Sequence, residues 1–93
     1  METDHLQSAL DELVEALASM EHERWCYWQR YLHGRCILHD DGALLLPADL
    51  VKRWEKQIET PYSELTDEEK ESDREQVRKY LPVILDALSK TVK

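Results

Sequence analysis

Phenylalanine is absent from this 93-residue sequence, and glycine (two), cysteine (two) and proline (three) are scarce. So few chain breakers exclude an all-β sandwich, which needs frequent turns. Two glycines cannot build a phosphate-cradling loop, and no Gly-x-Ser-x-Gly, P-loop or His-Glu-x-x-His signature occurs, so no catalytic residue and no enzyme is expected. The opening Met1-Glu2-Thr3-Asp4-His5 has neither the basic nor the apolar region of a secretion signal. No apolar run approaches the roughly 20 residues that span a bilayer. A cytoplasmic protein without membrane contact, its two thiols reduced and unbridged, is the expectation. Basic charge is missing where it would matter for long nucleic acid: residues 1–23 hold seven acids and no Lys or Arg, and the chain nets −8. With no basic stripe to neutralise phosphates, binding to long nucleic acid is excluded.

What the sequence does have is helical periodicity. Length and a 42% hydrophobic content imply one folded unit, mainly α. Leu6, Leu10, Leu13, Leu17 and Met20 alternate by four and three, a stripe on one helix face that continues through Trp25, Trp28, Tyr31 and Leu32. Thr3 is the candidate N-cap and Gly34 the candidate C′ residue of this long helix. The Leu stripe has two readings: a core face against the C-terminal helix, or the seam of a homodimer. Short apolar stretches on either side of Asp41-Gly42 predict a β-hairpin, which being small must lie against helices. Pro47-Ala48-Asp49 opens a helix that carries Leu50, Val51, Trp54 and Ile58 and ends before Thr60-Pro61. Thr66 with Glu69 forms a capping-box signature for a further helix whose face is Val77, Tyr80, Leu81, Ile84, Leu85 and Leu88. Pro82 is expected to kink or divide that helix near Leu81. The fold class is therefore a small domain of about four helices with one short β-hairpin.

His22, Cys26, His33 and Cys36 are residue types that bind zinc, with His22 and Cys26 on one helix face. Cys26 and His33 lie about 10 Å apart along a helix, too far for one ion, so neither a metal nor a cofactor is expected. The aromatic group is more informative. Trp25, Tyr27, Trp28 and Tyr31 fall within two turns, with Trp54 and Tyr62 more distant, and these rings keep a polar edge that Phe lacks. They read either as core anchors or as a stacking surface for a flat, negatively charged ligand, for which His22, Arg24 and Arg30 supply nearby cations.

These residues resemble the ryanodine receptor repeat (RyR) domain, found in tandem in calcium-release channels and as stand-alone bacterial and phage domains. His22-Glu23-Arg24-Trp25 is similar to the family's His-x-x-Trp, and Leu46-Pro47-Ala48-Asp49-Leu50-Val51 to its His-Pro-x-Leu-Val. Pro61-Tyr62-Ser63-Glu64-Leu65 and Lys70 to Arg74 resemble its Pro-Tyr-x-x-Leu and Lys-x-x-(Asn/Asp)-Arg. The likeness divides the chain into an acidic helical extension, 1–20, and an RyR-like unit, 21–93. It departs at Gly34 to His39, where the family has Gly-Trp-x-Tyr-Gly-Pro, and in an added helical stretch, Lys52 to Glu59. The resemblance implies a non-enzymatic sensor or accessory module whose partner is a small molecule, an adenine nucleotide or a derivative of one. Its ligand-binding residues would be His22, Trp25, Trp28, Tyr62, Asp73 and Arg74, with Trp25 stacking on the base and Asp73 meeting the base edge. The alternative is a helical interaction module without a ligand, dimerising through Leu6, Leu10, Leu13, Leu17 and Met20.

Overall fold

The computed structural model describes the backbone of residues 2–91 and the side chains of residues 3–90. Its elements in order are α1 (Glu2–Arg35), β1 (Ile37–Leu38), β2 (Leu44–Leu45), α2 (Ala48–Glu59), a 3-10 turn (Tyr62–Glu64) and α3 (Asp67–Thr91). The coarse expectation of a mainly helical chain with one hairpin is met, but with three α-helices and not about four. Pro82 does not divide α3, which runs through it unbroken. The proline forgoes its own hydrogen bond to the Arg78 carbonyl, and its ring crowds the preceding turn. Because Pro82 is exposed, water can satisfy that carbonyl.

The ends of α1 also differ from expectation. The helix has already begun at Glu2, which puts Thr3 inside it, and it continues to Arg35, which makes Gly34 a helical residue. Gly42 (φ 90°) is the described glycine with positive φ. The end of α1 is closed instead by the Cys36 amide donating to the His33 carbonyl at 3.3 Å. The helix passes residues 20 and 21 without interruption.

In the hairpin, Ile37 pairs with Leu45 and Leu38 with Leu44. Its loop is three residues, Asp40-Asp41-Gly42, closed by His39 N–H to the Ala43 carbonyl (2.8 Å) and Gly42 N–H to the His39 carbonyl (3.0 Å). Gly42 takes the left-handed position that a type I turn plus bulge requires, while Asp41 keeps negative φ and accepts a bond from Ala43 N–H at 2.9 Å. The expected seat against helices is not found: Ile37, Leu38, Leu44 and Leu45 are all exposed. Strands of two residues reach only about 7 Å, so the ribbon is held at its root, where Leu46 and Pro47 are half-buried.

Pro47 starts α2, its carbonyl accepting from the amides of Leu50 and Val51, both at 3.1 Å. Thr60 ends it, with its hydroxyl donating to the Lys56 carbonyl at 2.6 Å. The capping box forms reciprocally at α3: Thr66 N–H donates to Glu69 Oε1 (3.0 Å) and Glu69 N–H to Thr66 Oγ1 (3.1 Å). The Thr66 backbone bond holds the Glu69 carboxyl below its ordinary range. Losing such a cap typically costs about 1 kcal/mol.

α1 and α3 pack antiparallel. Residues 5–16 of α1 lie beside 83–90 of α3, and 20–28 beside 72–80. Midway, the Tyr80 hydroxyl donates to the Glu21 carboxylate. Little is sealed inside: among the described residues the buried ones are Ala9, Leu13 and Leu50. The shape follows from that. The molecule measures 58 × 35 × 17 Å, with a radius of gyration of 18.7 Å against about 12 Å for a compact chain of this length.

Candidate functional site

Trp25 and Trp28 sit one helical turn apart on α1, so both indoles project towards the same side of the helix. They line a cleft with Asp73 of α3 and Gln57 of α2, and the Arg24 side chain stands at its margin. The cleft encloses about 460 Å³. That lies within the roughly 300–1,000 Å³ usual for small-molecule sites. Trp25 is 59% exposed and Trp28 is 43% exposed, so both rings keep accessible surface, although Trp28 also packs on Trp54 and Tyr31.

Each wall has a local cause. The apolar face of α2 carries Trp54 onto Trp28, with ring centroids 5.4 Å apart in an edge-on arrangement, and this contact brings Gln57 and Ile58 over α3. On the other side of Trp28, Tyr31 stacks at 5.6 Å, its far face covered by the Arg35 guanidinium at 5.9 Å. Such aromatic pairs contribute about 0.5–1.5 kcal/mol beyond the area they cover. The capping box sets the start of α3 and thereby the height at which Ser72 and Asp73 enter the cleft.

The six residues expected to bind ligand do not all converge. Trp25, Trp28 and Asp73 share the cleft. His22 lies behind it, its ring stacked on Trp25 at 6.2 Å and its Nε2 3.5 Å from Cys26 Sγ. Tyr62 and Arg74 form a second group. The Lys70 ammonium stands 5.8 Å from the Tyr62 ring, and Arg74 donates to Glu71 at 3.4 Å. The Glu71 carboxylate, then the Tyr62 hydroxyl, raises the Arg74 pKa above its ordinary value. Glu71 is itself lowered, first by its hydrogen bond from Arg78 and then by Arg74. Neither His22 nor this second group lines the cleft.

Ser72, Gln76 and Gln57 are cleft residues that the sequence reading passed over, and Gln57 is the one that α2 supplies. Its spacing of three from Trp54 put it on the inner face of α2, a signal obscured because that stretch looked like an insertion. Chemically the cleft offers three aromatic rings, two carboxylates, two primary amides, one serine hydroxyl and one guanidinium. Arg24 is partly engaged by Glu21 at 3.7 Å. Cys26 and Cys36 are free thiols. Among the described residues no three His, Cys, Asp or Glu side chains are placed to hold a metal ion, and no helix is long and apolar enough to cross a membrane. The chain matches no known family, no characterised protein and no solved structure.

Proposed function

We propose that this chain is a non-enzymatic, RyR-type module that holds a small flat ligand, a nucleotide or nucleotide derivative, in the cleft between α1, α2 and α3. One observation carries the reading: two solvent-open indoles, Trp25 and Trp28, share a cleft with a carboxylate and an amide. The base stacks on an indole, and Asp73 accepts a hydrogen bond from an exocyclic amine, which selects adenine over a base with a keto group at that position. Gln57 can donate or accept at the base edge, and Arg24 meets the phosphate. The motifs at His22–Trp25, Pro61–Leu65 and Lys70–Arg74 support the same ligand class through the family they resemble. A sensor or accessory role in the cytoplasm, where both thiols stay free, accompanies this reading.

Calorimetric titration with AMP, ATP and GMP tests it. Saturable binding is expected for the adenine nucleotides, weaker for GMP. A stacked base contributes about 1–3 kcal/mol, so Trp25→Ala should weaken the adenine complexes by about 5- to 150-fold. Binding that Trp25→Ala leaves unchanged, or no saturable binding by any adenine nucleotide, removes the proposal.

A further inference from the structure

The protein exposes far more surface than its mass requires. Its accessible area is 7934 Å². A compact monomer of 11.0 kDa exposes about 5,600 Å². The excess, roughly 2,300 Å², is well above the about 800 Å² that each partner contributes to a stable interface. Six of the exposed apolar side chains lie on one face of the α1/α3 pair.

Leu6, Leu10 and Val14 recur every four residues on α1, as Val77, Leu81 and Leu85 do on α3, and all six are between 42% and 68% exposed. Several follow a seam residue by one position: Leu10 follows Ala9, Val14 follows Leu13, Val77 follows Gln76 and Leu81 follows Tyr80. One position is a turn of 100° about a helix axis. Because the two helices are antiparallel, that turn carries both sets to the same side of the pair. On the other side stand Ser8, Glu12, Asp86 and Lys90. The α1/α3 pair thus has one polar and one apolar broad face.

We infer that the apolar face is covered by a second copy of this chain, making a four-helix bundle with its two-fold axis parallel to the helices. The charge distribution sets the orientation. Residues 1–23 hold seven acids and no Lys or Arg, whereas residues 76–93 hold four bases and one acid. An axis parallel to the helices seats α1 on the second copy's α3, acid against base, with neighbouring helices antiparallel. Setting α1 on the second copy's α1 would stack one acidic stretch upon the other. The aromatic cleft lies at the α2 end and takes no part, so the dimer and the ligand site stand or fall separately. Of the two sequence readings of the Leu stripe, Leu13 follows the core face against the C-terminal helix, where it is 6% exposed.

Sedimentation equilibrium tests the assembly. The parent is expected at twice 11.0 kDa. Leu10→Glu and Leu85→Glu are expected at the single-chain mass, while Ser8→Glu, on the polar side, keeps the double mass. A dimer linked to folding also melts at higher temperature as concentration rises. This measurement on the parent does not depend on any variant folding. A parent of single-chain mass, a melting temperature independent of concentration, or a Leu10→Glu protein that stays dimeric overturns the inference. For orientation, Val14→Cys chains mixed with Leu85→Cys chains, each lacking Cys26 and Cys36, should oxidise to the mixed 14–85 product. A predominant 14–14 product overturns the parallel axis.

Discussion

Leu13→Ala should destabilise the fold by about 3 kcal/mol, a large loss for one side chain on a surface as open as this. Leu13 is only 6% exposed and shares the α1/α3 seam with Ala9, Val83 and Ala87. Truncating a buried Leu forfeits its transfer free energy and leaves a gap, together about 2.7–5.0 kcal/mol in well-packed cores. The lower part of that range applies because few side chains are sealed around Leu13, so the seam can close over part of the gap. Urea unfolding should show a lower midpoint at unchanged slope. An unchanged midpoint would mean that the seam does not hold α1 to α3. The same substitution at solvent-facing Glu15, on the same helix, should stay within about 0.5 kcal/mol.

Pro82→Ala should act in the opposite direction and nearly as strongly. A proline inside a helix costs about 3 kcal/mol relative to alanine, through its missing N–H and the clash of its ring with the preceding turn. Since α3 runs unbroken through Pro82, the folded protein bears that cost. Proline also restricts the unfolded chain, an advantage of up to about 1 kcal/mol that alanine gives up. A net gain of about 2 kcal/mol remains, or roughly 10 °C in melting temperature for a chain of this size. Pro82 is exposed, so no buried contact is lost with its ring. A fall in melting temperature would show that the ring itself positions α3.

Elements announced by several coincident local signals were legible in the sequence. Thr66 and Glu69 bond to each other as the capping box requires. Pro47 opens α2, and the Leu6 to Met20 spacing marks a helix. Single-residue signals were not enough. Thr3 and Gly34 looked like helix ends, yet one helix of about nine turns includes both, because neither a polar side chain nor a glycine stops a helix that both neighbours favour. Pro82 likewise yields to the anchoring of α3 on either side, at Tyr80 and at Val83. The hairpin was readable as a ribbon, but its packing was not, since apolar pattern alone cannot say whether a covering layer is within reach. In the cleft, spacing placed Trp25 and Trp28 on one wall. Asp73 joins them only because α3 returns antiparallel, which depends on the whole path of the chain. Tyr62 and Arg74 are drawn aside by Lys70 and Glu71, partners that are themselves close in sequence.

The long α1 has a kinetic consequence as well. Nearly all the bonds that build α1, α2, α3 and the ribbon close within a few residues, while the meeting of α1 with α3 and the Trp28–Trp54 contact join distant parts of the chain. Chains with such low contact order reach their native topology in microseconds to milliseconds, because little loop-closure entropy must be overcome first. Secondary structure should therefore appear within the mixing time of a stopped-flow refolding jump. A slower phase from the proposed encounter between chains should accelerate with protein concentration, whereas one from isomerisation at Pro47, Pro61 or Pro82 should not.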